Sequence, residues 1–163
     1  MAVDYFLKLD GIEGESTDEK HKKEIQIDTF SWGVSNHGTM GRGGGGGSGK
    51  AEFSDISFTK WGDTSSPLLV KAAASGEHIA SAVFTARKQG GKAGQQDFMV
   101  VTLSDVMVSS YTTSGHGGAD SIPQDSFSLN FTKIEYKYME QKADGSLGGN
   151  KVAKYDRALN KAG

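Results

Sequence analysis

The sequence predicts a mainly β protein, a small antiparallel β-barrel carrying one short α-helix, and three observations predict it. Apolar side chains alternate with polar ones along most of the chain. Turns rich in Gly, Asp and Ser separate the alternating runs, and a single stretch carries helix start and stop signals. With 163 residues the chain is expected to be one domain, of a size that buries roughly 70% of its unfolded surface.

The elements follow in order. Val3, Tyr5, Leu7 and Leu9 alternate as a first strand, and Ile25 and Ile27 begin a second. In that second run the apolar phase then flips to Phe30, Trp32 and Val34, as a bulge or a change of buried face requires. Residues 53–60 read as the next strand. A helix follows: Ser65 or Ser66 can cap it, Pro67 suits its first position, LLVKAAAS supplies good helix formers and Gly76 ends it. Strand patterns resume at 79–88, 97–109 and 126–139. In the last of these Phe127, Leu129 and Phe131 give way to Ile134, Tyr136 and Tyr138, a second flip. One helix among many strands suggests a plug over one end of a closed barrel, which has no free sheet edges. From about residue 142 the tail begins with a Gly-rich turn and is either a last strand or a frayed end.

Composition excludes several functions. Eighteen Lys and Arg against twenty Asp and Glu give a net charge of -2, with no basic stripe for a phosphate backbone, so nucleic acid is not an expected partner. Nor is a membrane, since no apolar run reaches spanning length. The N-terminal residues alternate apolar and charged side chains, unlike a cleaved secretory signal, so export would need another route. Cysteine is absent, which removes disulfides, thiolate metal sites and thiol nucleophiles.

Of 23 glycines, seven fall between positions 41 and 49. The run GGGGSGK from Gly44 nearly matches a phosphate-cradling loop, but Ala51 lacks the hydroxyl that would hold magnesium, and AEFSDISFTK alternates like a strand where that motif needs a helix. The run is either a flexible connection between strands or, in its functional form, an extended arm that orders against a neighbouring subunit, because glycine permits close backbone approach. His21, His37, His78 and His116 are scattered without metal-ligand spacing. No catalytic residue, metal or cofactor is expected. Phe30, Trp32, Phe53, Phe58, Trp61, Phe84, Phe98, Phe127, Phe131, Tyr136 and Tyr138 are expected in the core or at subunit contacts. Ser31, between Phe30 and Trp32, points away from both. Two rival functions remain open: a sugar-binding module that stacks its ligand on Trp32 or Trp61, and a nucleotide hydrolase built on the glycine arm.

The order of longer motifs resembles one family. MAVDYFLKLDGIEGES opens the chain, FSWGVS begins at Phe30, FSDISFTK at Phe53 and DTSSPLL at Asp63. ASGEHIASAVFTARKQGG follows at Ala74, VTLSDVMVSSYTTSG at Val101 and FSLNFTKIEYKYMEQKADG at Phe127. Up to Gly145 this resembles the hemolysin-coregulated protein (Hcp) family, the tube protein of the bacterial type VI secretion system. The resemblance implies a non-enzymatic subunit that closes into a homo-hexameric ring and stacks into a tube. The tube would sit within a contractile sheath, be tipped by a valine-glycine repeat spike protein, and carry or chaperone effector proteins in its channel. The protein would be cytoplasmic before assembly and then secreted without a cleaved signal peptide. Matched by position, Ser31 faces the channel and its effectors. Arg42, Gly43, Gly44, Gly45, Gly46, Gly47, Ser48, Gly49 and Lys50 form the arm that touches an adjacent ring. Because a ring contact closes and a stacking contact need not, rings are expected in dilute solution and tubes at high concentration.

Overall fold

The computed structural model describes residues 2–38, 50–89, 94–119 and 121–163. Eleven strands and one helix lie among them. The N-terminal part holds β1 (Val3–Leu9), β2 (Ile25–Ile27), β3 (Thr29–Ser31) and β4 (Val34–Asn36). Next come β5 (Ala51–Phe53), β6 (Ile56–Trp61), α1 (Ser65–Ser75) and β7 (Ile79–Lys88). The C-terminal part holds β8 (Gln96–Ser114), β9 (Gln124–Gln141), β10 (Leu147–Asp156) and β11 (Lys161–Ala162). All pairings are antiparallel. β4 pairs β5 in a separate two-stranded sheet, and the other nine strands form one sheet.

That sheet turns back on itself. β7 pairs β1 and β8, β8 pairs β9, and β9 pairs β6 with its first half and β10 with its second. β1 pairs β2, β3 pairs β6, and only Asp28 separates β2 from β3. Asp28 N–H also donates to the Thr59 carbonyl at 2.8 Å. The segment 25–31 therefore changes partner from β1 to β6 at Asp28, and the pairings trace a circuit. This partner change is the physical cause of the first phase flip, from buried Ile25 and Ile27 to half-buried Phe30.

The second flip belongs to three strands together. Ile79 pairs Val106 and Ser81 pairs Ser104, while Val106 pairs Phe131 and Ser104 pairs Lys133, so Ala80, Asp105 and Thr132 occupy one unbridged row. Asp105 holds φ 51°, a left-handed conformation that turns the strand about its axis. Across this row the buried residues are three apart, not two: Ile79 and Ala82, Val106 and Leu103, Phe131 and Ile134. Arg157 N–H extends the row into the C-terminal segment by donating to the Thr132 carbonyl at 2.8 Å. Asp105→Val forces a β-branched side chain into that backbone and is expected to lose about 1–2 kcal/mol. Asp105→Gly should stay within about 0.5 kcal/mol of the parent in urea denaturation.

The helix begins differently from the sequence expectation. Ser65, Ser66 and Pro67 occupy its first three positions, and the side chain at Thr64 makes no capping bond. Asp63 supplies the cap instead, its Oδ1 accepting the Ser65 N–H at 2.9 Å. Pro67 is tolerated because first-turn N–H groups have no intrahelical acceptor. Gly76 ends the helix at φ 66°, its N–H donating to the Ala72 carbonyl. Leu69 and Ala72, three apart, are fully buried where α1 packs on β8.

The expected strand at 53–60 divides, since Phe53 pairs β4 while β6 starts at Ile56. The tail is a strand along much of its length, with β10 on β9 from Leu147 to Asp156. Phe58, Phe84, Phe127, Phe131, Leu7, Leu69, Leu103 and Leu129 lie at the core, each 2% exposed or less. Trp61 does not join them and is 54% exposed.

Candidate functional site: a hydroxyl face around Ser31

Four strands place Ser31 within an ordered surface. In register across β3, β6, β9 and β8 run Ser31, Ser57, Ser128 and Ser110, and beside them Thr29, Thr59, Ser126 and Thr112. Strand alternation sends the intervening residues to the opposite face, where Phe30, Phe58, Phe127 and Tyr111 form the matching row. Phe58 contacts Phe127 and Phe84 at 5.3 Å between ring centres, and Phe30 contacts Phe84 at 4.7 Å. One side of this sheet is thus an aromatic core and the other carries eight neutral hydroxyls. Ser31, Ser57, Ser110, Thr29, Thr112 and Ser126 are exposed.

The hydroxyls are partly tied to one another. Thr29 and Thr59 share a hydrogen bond at 2.5 Å, and Ser128 bonds Ser109 and Ser110 at 2.7 and 2.6 Å. Ser109, the bulged residue between Val108 and Ser110, donates to Asp55 Oδ2 at 2.6 Å, and Asn130 donates to Asp55 Oδ1 at 2.7 Å. The side-chain hydroxyls of Ser31 and Ser57 make no hydrogen bond among the described residues. The two rows contain no ionised side chain, so they offer short, hydrated, uncharged contact.

Of the arm residues, Lys50 is described and exposed. Arg42, Gly43, Gly44, Gly45, Gly46, Gly47, Ser48 and Gly49 lie outside the described residues. The β4–β5 hairpin leads the chain into and out of that segment, and Phe53 anchors it through ring contacts to Tyr155 at 5.1 Å and Phe131 at 5.8 Å.

Two buried ionic clusters were not anticipated. Lys60 Nζ, fully buried, lies 2.8 Å from both Asp63 Oδ1 and Asp125 Oδ2 and 2.9 Å from Ser66 Oγ. Burial raises the Asp125 carboxyl, but hydrogen bonds from Lys60, Ser66, Thr113 and Tyr111 outweigh it and hold Asp125 below the ordinary carboxylate range. Although a lysine stands beside a serine, its ammonium is held between two carboxylates and serves as a structural tie. The cluster fixes α1 to β6 and β9 and has no catalytic form.

In the second cluster Arg87, 3% exposed, grips Asp18 through two bonds of 2.6 Å and lies 4.8 Å from the Phe6 ring centre. The Arg87 guanidinium draws Asp18 down to about 2 from 3.8, against the opposing effect of burial. A depressed folded pKa stabilises the protein above the unfolded value. This contribution should fade as pH falls from about 4 to about 2, and the fade should be missing in Asp18→Asn when urea midpoints are compared across that window. Nearby, His21 stacks on Phe6 at 4.5 Å and bonds Glu24 and Asp97. Among the described residues no three metal-ligating side chains converge, and no helix is long and apolar enough to cross a membrane.

The family model for "Type VI secretion system effector, Hcp" matches residues 6–138. The chain belongs to the Hcp family. Within that family it is 45% identical to Protein hcp1 of Pseudomonas aeruginosa over 152 residues, 93% of each chain. A solved type six secretion system protein superimposes with TM-score 0.90 at 35% identity, covering 99% of this chain and 100% of its own. Hcp1 from Salmonella typhimurium gives 0.81 at 34% identity, covering 99% of both chains. As an Hcp family member the chain is a structural tube and effector component of type VI secretion, not an enzyme.

The sequence singled out Ser31 but missed its seven companions. Their signal was present as a hydroxyl–x–hydroxyl spacing at 29–31, 57–59, 110–112 and 126–128, alternating with Phe30, Phe58, Tyr111 and Phe127. What the sequence lacked was the register that aligns the four segments. Trp61 stands in a groove with Asp4, Gln26 and Asp28, and half-buried Trp32 packs on Tyr136 at 5.5 Å.

Proposed function

We propose that six copies of this chain close into a ring whose channel is lined by the hydroxyl face, and that rings stack into the inner tube of the secretion machine. The observation that carries this reading is the pair of uncharged rows around Ser31. A channel through which different proteins pass needs a wall that stays wet and binds weakly, and short hydroxyls without fixed charge supply it. Effector proteins are held there and shielded until delivery. The arm from Arg42 to Lys50, carried on the β4–β5 hairpin, reaches the adjacent ring. The valine-glycine repeat spike protein and the contractile sheath are the remaining partners, with assembly in the cytoplasm before export. Exposed Trp61 is read as a subunit contact, since aromatic side chains are enriched at such surfaces.

The test joins mass to cargo. Light scattering after size exclusion should give a particle of six chains in dilute solution and longer assemblies at high concentration. Ser31→Trp should keep the ring mass while co-purified effector of the same secretion system falls about tenfold, the scale of one lost central contact. A monomer at all concentrations would overturn the ring, and undiminished effector in the variant would remove Ser31 from the channel wall.

A further inference from the structure

Along the hydroxyl face the hydroxyl protons run in one direction. A serine hydroxyl has one proton to give and two lone pairs to receive with. Ser109 gives its proton to Asp55 Oδ2, since a carboxylate only accepts. Its 2.7 Å contact with Ser128 must therefore be donated by Ser128, and the 2.6 Å contact between Ser128 and Ser110 must be donated by Ser110. Three hydroxyl protons in succession point inward toward one carboxylate. Thr112 also turns its proton inward, to the Ser126 carbonyl at 3.4 Å. Asn130 holds the other Asp55 oxygen at 2.7 Å and so fixes the carboxylate's orientation.

We propose that Asp55 sets the hydrogen-bond polarity of this face, so that exposed Ser110 and Thr112 on β8 present lone pairs only and take N–H donors of a polypeptide cargo. The Ser31 and Ser57 hydroxyls, with no hydrogen-bond partner among the described residues, stay free to donate or accept. The face is therefore graded: adaptable at β3 and β6, acceptor-only at β8. Backbone amides and Asn or Gln side chains fit the β8 side, whereas a carbonyl or carboxylate set against it finds no donor. Asp55 is a positioning residue, acting on cargo through Ser109, Ser128 and Ser110. The inference rests on the cargo-channel reading for its biological meaning but not for its geometry.

Neutron diffraction from a deuterium-exchanged crystal reads the proton order directly. The Ser110 deuteron should lie toward Ser128, that of Ser128 toward Ser109, and that of Ser109 toward Asp55. In Asp55→Asn one oxygen becomes an NH2 donor to Ser109, and the three deuterons should reverse, leaving Ser110 pointing to solvent. A wild-type Ser110 deuteron already aimed at solvent would overturn the proposal whatever becomes of the cargo reading. In solution, the Ser110 and Thr112 amide resonances should shift on titration with N-methylacetamide, which has an N–H. They should shift several-fold less with N,N-dimethylacetamide, which has none, while Asp55→Asn should respond to both. Equal wild-type responses to the two probes would sink the acceptor assignment, while the Ser31→Trp experiment independently decides whether cargo uses this face.

Discussion

Lys60→Met is expected to lower the stability of the protein by about 3–5 kcal/mol, a large share of what holds a domain of this size. The ammonium it removes is fully buried and serves two carboxylates, Asp125 at 2% and Asp63 at 14% side-chain exposure. Methionine fills similar volume but leaves both charges without their counterion, and the cost is that of stranded charge, not of lost packing. The double variant Lys60→Met with Asp125→Leu should recover a good part of the loss, because exchanging a buried pair for apolar groups is often near neutral. Urea denaturation at one fixed protein concentration measures both, the concentration being fixed because any self-association would add to apparent stability. A single variant within about 1 kcal/mol of the parent would mean that water reaches this cluster and the ammonium is not its keystone.

Phe58→Ala is expected to cost about 3–5 kcal/mol through a cavity at the centre of the aromatic row. Phe58 is 1% exposed and touches Phe84 and Phe127, so its removal opens the core between β6, β9 and β7. Because Ser57 and Thr59 flank it on the hydroxyl face, the substitution also loosens their support without touching them. Phe58→Leu should lose less, about half of that figure, since more of the volume remains filled. The measurement is again a denaturation midpoint, with proton exchange at the Ser57 and Thr59 amides reporting whether the face above the cavity opens more often.

Most of the secondary structure was legible because it is local. Alternation marked β1 and both phase flips, and Gly76 marked the end of α1. What was not legible depends on pairing over long sequence distances. Lys60 stood only as the end of an expected strand, because its partner Asp125 is 65 residues away. Alternation from Ile56 and Phe58 already pointed Lys60 inward and Trp61 outward, but residue type argued the reverse. The pattern prevailed because the buried carboxylates removed the penalty on the lysine. Asp63 as cap escaped notice because the serines after it are equally good capping residues in isolation. Ser31 could be placed on a face from its two aromatic neighbours alone, whereas the hydroxyl rows needed the register of four strands from three parts of the chain.

The unbridged row through Ala80, Asp105 and Thr132 has a consequence for how the sequence can change over time. A strand with period-two burial is normally hostage to its whole length, because one inserted or deleted residue turns over every side chain beyond it. Here the row already contains such a turnover, absorbed by one left-handed residue at a single level of the sheet. The half of β8 and β9 toward Ser114 and Gln124, which carries the hydroxyl face, is therefore uncoupled in phase from the half that pairs β10. The two halves can drift separately, one constrained by the hydroxyl face and the other by what packs against the tail.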